Sequence, residues 1–100
     1  MSVIYKYPID VVHSVHRVET PASSTVISAI EQNGLIVIYV HVPDPYAPAL
    51  WDGTKSILVL GTGCEFDGPD FEEMRFINTV KVGVFVWHVF ELMDSGGKRL

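Results

Sequence analysis

Apolar residues recur along this chain at period two, in short runs bounded by turn residues, and no stretch gives a convincing helix. The densest run is Val82–Leu92, VGVFVWHVFEL, in which eight of eleven residues are apolar. Val82, Val84, Val86, Phe90 and Leu92 share one face with His88, while Phe85, Trp87 and Val89 share the other with Glu91. A strand that is apolar on both faces is buried on both, which predicts a central place in a sheet. A buried helix is the rival for such a run. The β-branched and aromatic composition favours a strand, as do Gly83 at one end and Asp94-Ser95-Gly96-Gly97 beyond the other.

The remaining runs fit the same scheme. Val3–Tyr7 alternates, and Pro8 either ends that strand or marks it as an edge. Val11–Val18 is a weaker strand carrying His13, His16 and Arg17, and residues 19–24 form a loop. Thr25–Glu31, Asn33-Gly34 and Leu35–Val42 read as a hairpin with a type I′ turn, because both turn positions need positive φ. The second arm, LIVIYVHV, is apolar on both faces and is predicted to be another central strand. Residues 43–54 hold three prolines and no periodicity, which makes them a long loop. Tyr46 and Trp51 in that loop either fold back onto the core or serve as contact residues; folding back is favoured because exposed Trp is uncommon.

Ile57–Leu60 is a short buried strand that runs into Gly61-Thr62-Gly63-Cys64. An acidic loop over residues 65–73 follows, with one helical turn placed after Pro69. Met74–Val82 alternates Met74, Phe76, Val80 and Val82 against Arg75, Thr79 and Lys81, and so reads as a half-buried strand with one wet face. Together these runs predict an all-β fold, a small antiparallel sandwich or barrel of about seven strands with one long Pro-rich loop. Residues 1–92 form a single β domain, and residues 93–100 a polar C-terminal tail.

Composition narrows the class. With 48% apolar and 19% charged residues the chain can bury a core and is not disordered by composition. A net charge of −5 argues against non-specific nucleic-acid binding, which needs Lys and Arg to displace counterions. The one cysteine, Cys64, excludes an internal disulfide and any cysteine-based zinc cluster. The N-terminus lacks a signal-peptide pattern and no apolar run is long enough for a transmembrane helix. The expected setting is therefore cytoplasmic.

No catalytic constellation, metal site or cofactor motif emerges. Gly61, Thr62 and Gly63 leave a strand and could offer amides to an anion, with Lys6 and Arg75 as candidate cations. The triplet lacks the Lys of a P-loop and the third Gly of a dinucleotide fingerprint, and a glycine-enabled turn is the commoner use of such a sequence. Cys64 has Glu65 and Asp67 beside it, which disfavour the thiolate a nucleophile needs. His13 and His16 fall on opposite faces of a strand, His88 reads as a satisfied core residue, and His41 as a rim residue. Asp67, Asp70, Glu72 and Glu73 read first as a solvated acidic face, and next, with Tyr46 and Trp51, as a surface for a partner protein.

The segments IYKYPI (residues 4–9), GTG (61–63) and FVWHVFE (85–91) occur in an order and spacing that resemble a family of small phage and bacterial proteins known only as a domain of unknown function. The resemblance spans roughly residues 3–91. Two positions depart from it: Cys64-Glu65 stand where the family pattern has His, often followed by Pro, and Ile38-Tyr39 stand where it has Leu-Trp. The resemblance implies a phage or prophage setting, hence the host cytoplasm, and supplies no activity.

The leading expectation is a non-catalytic accessory protein that binds a partner protein, with inhibition of a host defence system as its specific form. A nucleotide-binding or sequestering oligomer using a small anionic ligand site is the alternative. A small Cys/His hydrolase ranks below both. Self-association as a dimer is expected under each, since edge strands must be covered.

Overall fold

The computed structural model describes residues 2–21, 23–45, 53–68 and 73–93, and in it the period-two runs form seven strands. These are β1 (Val3–Ile9), β2 (Ser14–Thr20), β3 (Thr25–Gln32), β4 (Leu35–Val42), β5 (Gly53–Gly61), β6 (Met74–Val82) and β7 (Phe85–Leu92). They assemble into a three-stranded sheet, β1-β4-β3, and a four-stranded sheet, β2-β5-β7-β6. Every ladder is antiparallel, and none joins the two sheets, so the fold is a sandwich and the barrel alternative falls away.

Both runs that are apolar on two faces, β4 and β7, lie between two neighbours, as burial on two faces requires. β1 is an edge strand that tolerates Pro8, whose missing N–H breaks no necessary ladder bond there. Asn33 and Gly34 have φ of 54° and 80°, the type I′ turn read from the sequence. Gly34 N–H also donates to the Glu31 carboxylate at 2.7 Å.

Three boundaries differ from the sequence reading. The run Val82–Leu92 is not one strand: Val82 pairs with Phe85 across a two-residue turn of Gly83 and Val84, with φ of 62° at Gly83 alone, as in type II′. β2 starts at Ser14 rather than Val11 and runs on through Thr20, because its ladder to β5 extends from Ser14–Val59 to Thr20–Gly53. By the same pairing β5 begins at Gly53, inside the segment read as loop. Strand ends follow the partner's hydrogen bonds, which a single run of residues does not display.

The core lies between the sheets and is built from β-branched residues, among them Val26, Ile36, Ile38, Val40, Ile57, Val59 and Val89, all fully buried. At one rim β3 and β6 face each other, and each carries a bulge, at Ile27 and at Ile77. Arg75 Nη2 donates to the Val26 carbonyl at 2.6 Å and to Glu91 Oε1 at 2.7 Å, and Asn78 Nδ2 donates to the Ala29 carbonyl at 2.7 Å. These bonds fasten the edge of one sheet to the edge of the other.

The bulge overturns the uniform alternation expected for residues 74–82. Met74 and Phe76 point outward, Arg75 points inward, and after Ile77 the phase reverses, so Val80 and Val82 face the core while Thr79 and Lys81 face out. One extra residue moves every later side chain to the opposite face.

Two stability predictions follow from this interior. Glu91 is fully buried with Arg75 as ion-pair partner, so Arg75→Ala should cost about 3 kcal/mol in urea denaturation. An unchanged midpoint would show that the sheet rims hold without the pair. The Tyr7 hydroxyl is buried with no hydrogen-bond partner among the described residues. Burial, and secondarily Tyr5, raise its pKa above the ordinary 10.0. The unfolded chain then loses this proton first, so stability is full below pH 10 and falls as pH rises through the raised value. Tyr7→Phe should therefore lessen the alkaline loss of stability and leave neutral stability almost unchanged, checked by urea midpoints across the alkaline range.

Candidate interaction site

The outer face of the four-stranded sheet carries a second apolar cluster: Leu58 and Leu60 from β5, Met74 from β6, and Phe90 and Leu92 from β7. An antiparallel sheet commonly leaves its outer face wet and polar. Here five outward residues of three adjacent strands are apolar and buried, and two phenylalanines stand at their margin. Phe76 is 53% exposed and packs edge-on against Phe90 with ring centroids 5.6 Å apart, and Phe66, from the loop after β5, is 46% exposed.

Between them lies a groove of about 470 Å³ with Leu60, Met74 and Phe90 among its lining residues, and His88 and the loop Gly61–Cys64 contributing too. A smaller groove of about 310 Å³ shares Gly61, Thr62 and Cys64 and extends to Phe85 and Trp87. On the other side of Phe66, a third of about 250 Å³ brings Val15 and Leu58 together with Glu65 and Asp67. The loop after β5 thus separates three hollows.

That loop is held by bonds within the protein. His13 Nδ1 accepts the Gly61 N–H at 3.0 Å, so its Nε2 carries the proton and donates to the Glu65 carbonyl, also at 3.0 Å. Thr62 N–H donates to the Val86 carbonyl, and Cys64 N–H closes a turn on the Gly61 carbonyl, each at 3.1 Å. Gly63 has φ of 82° at the third position of that turn, where a type II turn favours glycine. Three amides of the segment are therefore already engaged.

His88 lies half-buried on the outer face rather than in the core. The Thr62 hydroxyl donates to the Val86 carbonyl at 3.2 Å, so its oxygen accepts from His88 Nε2–H at 2.7 Å. Thr79 then donates its hydroxyl proton to His88 Nδ1 at 3.2 Å. The imidazole is bridged between two threonines and forms the polar corner of an otherwise apolar groove.

The residues singled out in the sequence are not gathered in one place. Lys6 lies on β1 in the other sheet and reaches Gln32 at 3.5 Å. Arg75 is committed to Glu91 and Val26, four pairing rows along β7 from the Gly61–Trp87 row, which is about 13 Å. Neither joins Gly61, Thr62 and Gly63. Asp67 is exposed beside Phe66, and Glu73 is half-buried with its carbonyl accepting the Met93 N–H at 2.7 Å. Tyr46, Trp51, Asp70 and Glu72 lie outside the described residues, as does the helical turn expected after Pro69. Reasoning from sequence missed Phe66, Phe76 and the clamp by His13. The unbroken run Ile57–Leu60 was the available signal for the outer cluster, since a strand apolar on both faces needs cover on both.

Gly61 tests how tightly the loop is packed. A Cβ there would meet Cys64 Sγ at 3.0 Å and Trp87 Cζ3 at 3.1 Å. Gly61→Ala should destabilise the fold by about 1–3 kcal/mol in urea denaturation. A wild-type midpoint would show that the thiol and the indole give way freely.

Among the described residues no helix is long and apolar enough to cross a membrane, and no group of three or more His, Cys, Asp or Glu is placed to hold a metal ion. No curated protein and no solved structure gives a significant match to the chain. A family model does match, over residues 1–99, so the chain belongs to the family described as Domain of unknown function (DUF7352).

Proposed function

We propose that this chain is a non-catalytic accessory protein that acts by binding a partner protein on the outer face of its four-stranded sheet. The observation that carries the reading is the groove between Phe66 and Phe76, two half-exposed phenylalanines that stand beside the buried second apolar cluster. Exposed aromatic side chains that border a groove and are rimmed by polar residues mark interaction sites. Glu65 and Asp67 supply that rim, and among the described residues neither carboxylate has a hydrogen-bond or ion-pair partner. The partner segment that fits has an aromatic or aliphatic anchor for the groove and Lys or Arg beside it for the acidic rim.

Inhibition of a host defence system in a phage setting is the specific form of this proposal, and the resemblance of IYKYPI, GTG and FVWHVFE supports the setting. The nucleotide-sequestering alternative draws no support from Lys6 and Arg75, which lie apart from the Gly61–Gly63 loop.

The test is affinity capture from bacterial lysate with wild type, Phe76→Glu, and the double variant Glu65→Lys/Asp67→Lys. A stoichiometric protein partner should be captured by wild type, reduced about tenfold or more by Phe76→Glu, and weakened by the charge reversals. A partner retained equally by all three would place binding on another surface and sink the reading.

A further inference from the structure

Two open sheets have four edge strands, and three of them here are closed to further pairing. β3 and β6 face each other at the rim, where Arg75 and Asn78 of β6 bond backbone carbonyls of β3. β1 carries Pro8, which has no N–H to offer a neighbour, and Lys6 at its centre; both devices block an edge. β2 has neither. Its seven residues, SVHRVET, include no Pro, Gly or Lys, and its ladder to β5 runs through all of them without a bulge. β2 pairs with β5 alone, so among the described residues its other side is an open template for a strand.

The two charges on that edge complement themselves. Val15, Arg17 and Glu19 pair with Leu58, Ser56 and Thr54 and point to the outer face. Arg17 and Glu19 are exposed. Arg17 Nη1 donates to Ser56 Oγ at 3.2 Å, which leaves further guanidinium donors, and among the described residues the Glu19 carboxylate has no partner.

Two copies of an edge strand joined by a twofold axis pair antiparallel, with the axis normal to the sheet, so outward residues meet outward residues. With β2 bounded by Ser14 and Thr20, the axis passes through His16, Arg17 or Val18 in every register that overlaps five residues or more. Through His16 it sets Arg17 against Val15. Through Arg17 it sets two guanidinium groups opposite each other. Through Val18 it sets Arg17 against Glu19 of the second copy, and Glu19 against Arg17. On the inner face the same register brings Val18 to Val18 and His16 to Thr20, and Pro21 ends the ladder beyond.

We propose that β2 is the seam of a twofold dimer, in which β2 of a second copy adds antiparallel with Val18 opposite Val18. Two four-stranded sheets thereby become one sheet of eight. Backbone bonds supply the ladder, and the two cross-strand ion pairs select its register. The groove is lined from β5, β6, β7 and the loop after β5, so the seam leaves it open. With the axis normal to the sheet, both grooves face the same side. A partner protein that offers two docking segments is then held twice, which raises its avidity above that of one contact.

The test is sedimentation velocity on the full chain at about 200 μM in about 0.15 M salt, where a dimer with Kd on the order of 10 μM is mostly assembled. Wild type should sediment as a dimer. Arg17→Glu alone and Glu19→Arg alone set like charges opposite each other, and each should weaken the dimer about tenfold or more. The double variant Arg17→Glu/Glu19→Arg should recover it, and an equimolar mixture of the two single variants should form a heterodimer. Combining substitutions that merely damaged the fold would restore nothing. Both positions are exposed, so all variants should keep the wild-type far-ultraviolet spectrum.

A monomeric wild type would overturn the proposal, as would single variants that dimerise like wild type. A mixture or a double variant that stays monomeric would overturn it too. The seam is read apart from the groove: failed partner capture leaves the dimer standing, and a monomeric wild type leaves the capture result standing.

Discussion

The architecture depends on one ion pair at the rim between the sheets, its carboxylate buried and its guanidinium partly exposed, and on the bulge that delivers it. Arg75 reaches into the space between the sheets, bonds the buried Glu91 carboxylate and caps the Val26 carbonyl of the opposite edge. A charged pair with one buried member is not a strong source of stability, because desolvation offsets much of its attraction. Its effect is positional. With Asn78 on Ala29, it matches the rim of one sheet to the rim of the other, where no ladder could form. The slip at Ile77 that turns Arg75 inward also turns Met74 and Phe76 outward beside Phe90. The closure of the sandwich and the apolar outer face therefore share one cause.

The second constraint is the loop after β5. Its glycines serve geometry: Gly61 leaves room for the Trp87 ring and the Cys64 thiol, and Gly63 supplies the positive φ of the turn. His13 spans the loop from the Gly61 N–H to the Glu65 carbonyl, which places Phe66 over the outer face with acidic residues on either side. The amides hold up a wall rather than cradle an anion. The chemistry left at the surface is apolar contact rimmed by negative charge, with His88 and its two threonines as a polar corner. Among the described residues that line the groove there is no Lys or Arg to neutralise a phosphate.

Much of this was legible in the residues themselves. Strand identity came from period-two runs of Val, Ile and aromatic residues, and the Asn33-Gly34 turn from its need for positive φ at both positions. The central places of β4 and β7 followed from their two apolar faces. The candidate site was far less legible. Phe76 and Arg75 were assigned to the wrong faces because a bulge has no local signature in this strand. His13 looked like one of two unremarkable strand histidines, since its partners at Gly61 and Glu65 are far away in sequence.

What the sequence determined by itself was therefore the all-β class, the seven strands, the turn chemistry and which strands are central, because these rest on local propensity and alternation. Tertiary structure alone decided the division into two sheets, the strand ends, the phase of β6 on either side of Ile77, and the loop clamp that shapes the outer groove. Those features depend on hydrogen bonds and packing between residues distant in the chain. Their energies appear only when both partners are in place.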